Sequence, residues 1–404
     1  MSSRIKYFVV SSSTCLTLLL LLGWGVGRGA SQDDTLKHIG VFSEVVGYIE
    51  KQYVEEPDMK SVTMGALDGM LEAIDPFASY LSADQYREYL KTKDAKRADV
   101  GLVLSKRYGT IVVVDAAPGS PAAKAGFSTG DMIESIKGIA TRDMPLAVAS
   151  MMLQGEAGSE IELSVVKVRR PEPQTVKLIR TNYTPAPVET KALADGVGYI
   201  DVKTLSQGTL KETADAIKQL QKNGAKKLVV DLRSCGMGTP DEGIAFANLF
   251  MKSGRITYLK GQRVAEQDFN ADPAKAITDL PMAVLVNRGT ADGCEIAAAA
   301  LQGNNRAQVV GERTYGDAGQ RKVLTMDDGS AIILSVAKYY SPDAKDGKAI
   351  QDIGVTPKTL VADAEPAVEY DENENVVPQT TVEKTGPKKL EDDPVVKKAL
   401  EILG

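Results

Sequence analysis

The chain has 404 residues, 43% hydrophobic and 25% charged, with a formal net charge of −6. That length accommodates two or three domains with a sizeable core. The acidic balance, without a basic stripe interleaved with aromatics, argues against a nucleic-acid binder. The single histidine, His38, excludes any Ser-His-Asp triad, Cys-His dyad or His-rich zinc site that does not pass through it. It reads as a helix-surface residue, so a hydrolytic mechanism here would need a lysine or carboxylate base. The three cysteines, Cys15, Cys235 and Cys294, form no CxxC and indicate no zinc or redox motif.

The first element is a targeting segment. Arg4 and Lys6 precede "YFVVSSSTCLTLLLLLGWGVG", which carries no charge until Arg28. At about 20 apolar residues it is long enough to cross a bilayer, so residues 1–30 read as an export signal or an uncleaved anchor. Arg28 sits where a cleavage site wants a small residue, which favours an anchor over residues 7–27. Cys15 has no lipobox-like context. The bulk of the chain is then expected outside the cytoplasm, on the periplasmic side of a bacterial envelope.

Residues 31–95 read as a helical region. Leu36, Ile39, Phe42, Val46 and Ile49 recur at helical spacing as a packing stripe. A second helix is expected over Val62–Ile74, "DPFASY" breaks the pattern at Pro76, and Ser82 with Gln85 has capping-box spacing. Residues 96–182 alternate β-runs with Gly/Pro turns, around one short helix, "PLAVASMML". Residues 183–362 alternate strands and helices: "VGYIDV", "TLKETADAIKQLQKNG", "KLVVDLR", "DEGIAFANLFM", "RITYLK", then "VLV" leading through a small-residue loop into "EIAAAALQ". "DDGS" marks a late hairpin. This alternation predicts a layered α/β domain, and the whole is a multidomain α+β chain. Residues 363–391 are rich in Glu, Pro, Thr and Lys and read as a flexible linker. Residues 392–404 form a short helix, with Pro394 in its first turn and Asp392 or Asp393 as the cap.

"DPFASYL", "SPAAKAGFSTGDMIESIKG", "KLVVDLR", "VLVNRGTADGCEIAAAALQ", "VVGERTYG" and "DDGSAIILSVAKYYSP", in that order, resemble the carboxyl-terminal processing peptidases, or tail-specific proteases. The resemblance covers nearly the whole chain after the first segment. It implies a helical N-terminal region, a PDZ domain and an α/β peptidase core in an exported compartment. "AGFSTGDMIESIKG" carries the glycines and Asp131 that PDZ domains use in a turn before a strand. Such domains add a peptide C-terminus as a strand to a sheet edge. By resemblance the carboxylate loop falls at Val100, Gly101, Leu102 and Val103. Peptide C-termini or unfolded tails are the implied ligands, and a second copy or an active relative the implied protein partner. No cofactor and no metal is expected.

The family's chemistry does not carry over. Its "S-A-S-A-S-E-I" holds the nucleophile as the middle serine; here Thr290 to Ile296 reads "TADGCEI", with Asp292 at that position. Its "T-F-G-K-G" holds the lysine base; here Thr314 to Ala318 reads "TYGDA", with Asp317. A glutamine four residues further falls at Arg321, beside Gln320. The oxyanion-loop "D-L-R-x-N-x-G-G" becomes Asp231 to Gly238, "DLRSCGMG", with Met237 and Gly238 for the two glycines. A serine–lysine mechanism needs a hydroxyl beside a neutral amine, and a carboxylate at the nucleophile position would repel the oxyanion. An inactive member is therefore expected, against the alternatives of unconventional residues or a structural subunit. Asp292 is expected to cap the following helix with Glu295 three residues on. Asp317, with Asp292 as a second candidate, is expected to pair with Arg321. A carboxylate pair sharing a proton is disfavoured because Arg321 would keep both ionised; a metal on the pair lacks further ligands. Cys294 has no histidine to activate it. By the same resemblance Cys235 and Cys294 line one cleft, where an oxidising compartment would allow a disulfide.

Overall fold

The computed structural model describes residues 36–363 and 389–404, apart from 94, 96, 143, 169, 185, 345 and 346. The expected targeting segment and nearly all of the expected linker lie outside the described residues. Among those described, no helix is long and apolar enough to cross a membrane. The chain divides into two units, residues 1–66 and 67–404.

In the first unit, residues 36–52 are helical. The expected packing stripe is covered only at its C-terminal end: Leu36, Ile39 and Phe42 are 59%, 55% and 42% exposed, while Val46 and Ile49 are half-buried. The second helix is Met59–Glu72, starting and ending earlier than expected.

In the second unit, Ser82 and Gln85 form the reciprocal capping box of helix Ala83–Thr92. A β-rich module follows. Its strands run Leu102–Arg107, Thr110–Ala116, Met132–Ile136, Glu160–Lys167 and Arg170–Ile179 in that spatial order, with Leu102–Arg107 at one edge. Helix Leu146–Leu153 packs beside that edge strand. Asp131 ties the turn as its sequence setting suggests. It accepts from Ser128 N–H at 3.0 Å and Val168 N–H at 3.2 Å, and pairs with Lys167 at 2.8 Å.

The α/β layer is a six-stranded sheet ordered Thr359–Leu360, Gln308–Gly311, Met282–Val286, Lys227–Asp231, Val197–Asp201 and Glu189–Ala192. The first five strands are parallel and Glu189–Ala192 is antiparallel. Side chains alternate across a strand, and both faces are used. Leu228, Val230, Met282, Val284 and Val286 join one core with Ile217, Phe246 and Ala297 from three helices, Gln207–Lys222, Pro240–Asn248 and Gly293–Gly303. Val229, Ala283 and Leu285 face the other way onto Val395, Val396 and Ala399 of the C-terminal helix Pro394–Leu403. Asp393 caps that helix, accepting from Val395 and Val396 N–H at 2.9 and 3.1 Å. At the bounds of the expected linker, Leu390–Asp392 forms a helical turn and Asp363 is bonded to Arg233 at 2.7 Å. A second, antiparallel sheet pairs Ala331–Tyr340 with Ser79–Leu81, Arg255–Lys260 and Gly319–Thr325.

Candidate active site and peptide groove

Strand Met282–Val286 delivers the chain to a loop that turns sharply into helix Gly293–Gly303. The loop is fixed by short-range and long-range bonds. Thr290 Oγ1 donates to Leu232 C=O at 2.7 Å and Ala291 N–H to Cys235 C=O at 3.0 Å. Asn287 Oδ1 accepts from Ser234 and Gly289 N–H at 2.9 and 3.0 Å. Cys235 and Cys294 are disulfide-bonded, with Cα atoms 6.0 Å apart, which staples the 234–238 loop to the first turn of the helix.

At the turn, Asp292 adopts φ 49°, ψ −124°. A side chain at positive φ is a strained arrangement, and it is how a nucleophile is held on a sharp strand-to-helix elbow. The backbone is that of an elbow while the side chain is a carboxylate. The expected capping role is a correction: Asp292 makes no side-chain cap bond. The elbow sets the direction of its Cα–Cβ bond, so the local capping pattern is overruled.

Glu295 is likewise not a capping-box partner. It is fully buried and reaches across to the loop that carries Asp317. Its carboxylate accepts from Thr314 Oγ1, from Gly316 N–H at 2.6 Å and from Asp317 N–H at 2.7 Å. Burial pushes its pKa up to about 8 against those bonds. Thr314 Oγ1 also accepts from Val355 N–H at 2.7 Å, so Glu295 anchors the whole turn.

Asp317 is buried and paired with Arg321. The Arg321 guanidinium lies 4.4 Å from the centre of the Phe77 ring. Burial raises the Asp317 pKa, and Arg321 opposes the rise. Asp292 is raised well above the carboxylate range, first by burial and then by the negative charge of Asp317, with Arg321 again opposing. The cluster thus holds one short ion pair and a second carboxylate under its field. Asp75 completes the surroundings, accepting from Phe77 N–H at 3.0 Å, Ser335 N–H at 2.9 Å and Gln351 Nε2 at 3.2 Å.

The amides beside the elbow are already engaged. Gly293 N–H donates to Gly238 C=O at 3.2 Å. Gly236 N–H donates at 3.2 Å to Asp115 Oδ2, at the end of strand Thr110–Ala116. A Cβ on Gly236 would lie 2.5 Å from Asp115 Cβ, so only glycine permits this approach. Met237 bridges Thr204 and accepts from Leu205 N–H at 2.8 Å. Asp115, Glu295 and Asp75 were not among the expected site residues. Asp75 and Glu295 stand inside quoted motifs, "DPFASYL" and "TADGCEI", which gave no sign of these partners; for Asp115 the local signal was a carboxylate closing the apolar run "TIVVVD".

In the β-rich module, Val100 and Gly101 are buried and Leu102 and Val103 half-buried at the start of the edge strand. Gly101 has φ +81°, and a Cβ there would lie 2.2 Å from Ser120 Cβ. Its N–H donates to Asp99 Oδ1 at 2.5 Å, so the amide at the expected carboxylate loop is engaged by the chain's own side chain. Burial raises the Asp99 pKa, and the Gly101 and Val100 N–H groups oppose the rise. Ser105 of the edge strand bonds Tyr315 OH, and Arg107 donates to Tyr315 C=O at 3.3 Å. The two candidate sites are thereby linked. A cavity of about 840 Å³ lies beside this contact, lined by Arg107, Arg313, Thr314, Tyr315 and Leu360; neither Asp292 nor Asp317 lines it.

Comparison with known proteins agrees with this fold. Residues 196–361 match peptidase family S41 and residues 112–167 match the PDZ domain. The chain is 32% identical over 351 residues to a carboxyl-terminal-processing protease of Synechocystis, covering 85% of this chain and 80% of that protein. It is 33% identical over 359 residues to the chloroplastic carboxyl-terminal-processing peptidase 2 of Arabidopsis thaliana, covering 84% and 68%. The solved structure of a photosystem II D1 C-terminal processing protease superposes with TM-score 0.65 at 30% identity, over 80% of this chain and 86% of that one.

Proposed function

Because this chain belongs to the carboxyl-terminal-processing peptidases of family S41, we propose that it is a member that does not cleave peptides and acts by binding peptide C-termini or partner proteins through its PDZ domain. The observation that carries this reading is the elbow. Asp292 stands where the family resemblance puts the serine, and the Gly293 N–H beside it is turned onto Gly238 C=O. A carboxyl group there supplies no alcohol hydroxyl to serve as the nucleophile of acyl transfer. Asp317 at the base position is ion-paired and offers no neutral amine. The apolar segment at residues 7–27 favours a place in the cell envelope.

A second reading is a structural subunit that regulates an active relative. The exposed apolar stripe of Leu36, Ile39 and Phe42 favours it, since a covered stripe is more stable than a solvated one. Its partner would be a second copy or a relative with the same helix.

The test is incubation of the purified protein with a reduced, unfolded test protein, followed by mass spectrometry. No fragments are expected, at any pH from 5 to 9. Fragments that disappear in Asp292→Ala or Asp317→Ala would instead establish a peptidase with unconventional residues.

A further inference from the structure

The cavity of about 840 Å³ is walled by both halves of the second unit. The β-rich module contributes Arg107, Val112 and Val168, and the α/β layer contributes Arg313, Tyr315 and Leu360. Leu102, Leu104 and helix Leu146–Leu153 do not line it. Small-molecule sites enclose about 300–1,000 Å³, and this cavity falls within that range. Its walls are apolar side chains that the core leaves out. Val112 alternates with the fully buried Ile111 and Val113, so it faces away from the module's core. Val168 and Leu360 are 62% and 68% exposed. Of the four charged residues in the wall, Arg288 and Glu312 pair with each other at 3.2 Å. Arg107 and Arg313 make no ion pair among the described residues. Arg107 is nonetheless held in place: its guanidinium lies 4.8 Å from the centre of the Tyr315 ring and donates to Tyr315 C=O at 3.3 Å. The turn that carries Arg313 is fixed by its next two amides. Thr314 N–H donates to Val355 C=O at 3.1 Å and Tyr315 N–H to Thr290 C=O at 3.0 Å.

We propose that this cavity binds a small organic anion, its phosphate or carboxylate head held by Arg107 and Arg313 and its apolar body set against Val112, Val168 and Leu360. A guanidinium keeps its charge at any working pH, and its planar fork matches the oxygens of a phosphate or carboxylate. Two cations without an acidic partner favour a doubly charged head, so a phosphate monoester is the preferred form. Glu312 does not spoil the site, because Arg288 already neutralises it. The combination of walls and charges sets the ligand class. Apolar walls alone would take a neutral molecule, and two arginines alone an inorganic ion; together they select a molecule that carries both parts. Neither Asp292 nor Asp317 lines the cavity, and the inference stands whether or not the chain binds peptide tails.

The experiment titrates the full chain with 1-naphthyl phosphate by isothermal titration calorimetry, with 1-naphthol as the body alone and inorganic phosphate as the head alone. A single site is expected, with each partial probe roughly tenfold weaker or more. Arg313→Met keeps the apolar stem and is expected to weaken 1-naphthyl phosphate about tenfold. Leu360→Ser is expected to weaken it several-fold through lost apolar contact. Arg313 and Leu360 are both exposed, so neither change disturbs the core, and a melting temperature equal to the parent's checks this. No binding, or unchanged affinity in either variant, would overturn the inference. Binding of 1-naphthol or of inorganic phosphate as tight as that of 1-naphthyl phosphate would overturn it too, since one part of the ligand would then suffice. Displacement of the probe by a free apolar-ended pentapeptide would place it in the tail groove and would equally count against the cavity.

Discussion

Asp115 is the residue on which the two domains' chemistry converges. It is 3% exposed and accepts from Gly236 N–H, and burial pushes its pKa up to about 7. A carboxyl whose folded pKa exceeds its unfolded value of 3.8 binds a proton on folding between those limits. Its contribution to stability is therefore lost as pH rises through about 7 and regained on acidification. Asp115→Asn keeps an acceptor for Gly236 and removes the charge. It is expected to stabilise the protein by on the order of 2–4 kcal/mol at pH 8 and by less, about 1–2 kcal/mol, at pH 5, where the unfolded carboxyl is already ionised. Urea melts at the two pH values check this, and an equal effect at both would refute it. Glu295, raised to about 8, has the same sign, so the variant keeps part of the parent's pH slope. The residues at positions 292, 317 and 321 were legible in the sequence because they break a motif at fixed spacing. Glu295 and Asp75 were visible as motif residues but their partners were not, and Asp115 was not visible as a site residue. Asp115 and Gly236 are 121 residues apart, and such a pair leaves no local pattern to read.

At the scale of elements, strands and helices of the α/β layer were legible because each keeps one period from end to end, and both faces of the parallel strands are apolar. What misled was a local pattern with a non-local use. Asp292 and Glu295 have capping-box spacing, but the elbow at φ 49° turns the first aside and the buried turn at Thr314 to Asp317 takes the second. The same region holds the disulfide, which closes a loop of 59 residues between the 234–238 segment and the helix start. Closing a loop of that size removes unfolded-state entropy worth about 2–4 kcal/mol. The double variant Cys235→Ala, Cys294→Ala is expected to unfold at lower denaturant by that amount. Intact mass should rise by two hydrogens when the parent is reduced under denaturing conditions; no rise means no bridge.

At the scale of the whole second unit, one arginine joins three carboxylates that are far apart in sequence. Arg233 donates to Asp231 at 2.7 Å, to Asp363 at 2.7 Å and to Asp393 at 2.8 Å. Asp231 is fully buried. Burial alone would raise its pKa, yet Lys203 and Arg233 outweigh burial and hold it below the ordinary value. Asp393 caps the helix whose Val395, Val396 and Ala399 cover the second face of the sheet. Arg233 therefore fixes the C-terminal helix to the strand that leads into the 234–238 loop. Arg233→Met keeps the apolar stem and removes the charge, leaving Asp231 buried with Lys203 as its remaining cation. Breaking one partner from a buried ion pair costs about 3–5 kcal/mol. The expected result is a matching loss of stability, together with faster amide exchange in Pro394–Leu403 than in helix Gln207–Lys222, which lies on the opposite face. Exchange that accelerates equally in both helices would mean that Arg233 supports the sheet as a whole and does not hold the C-terminal helix specifically.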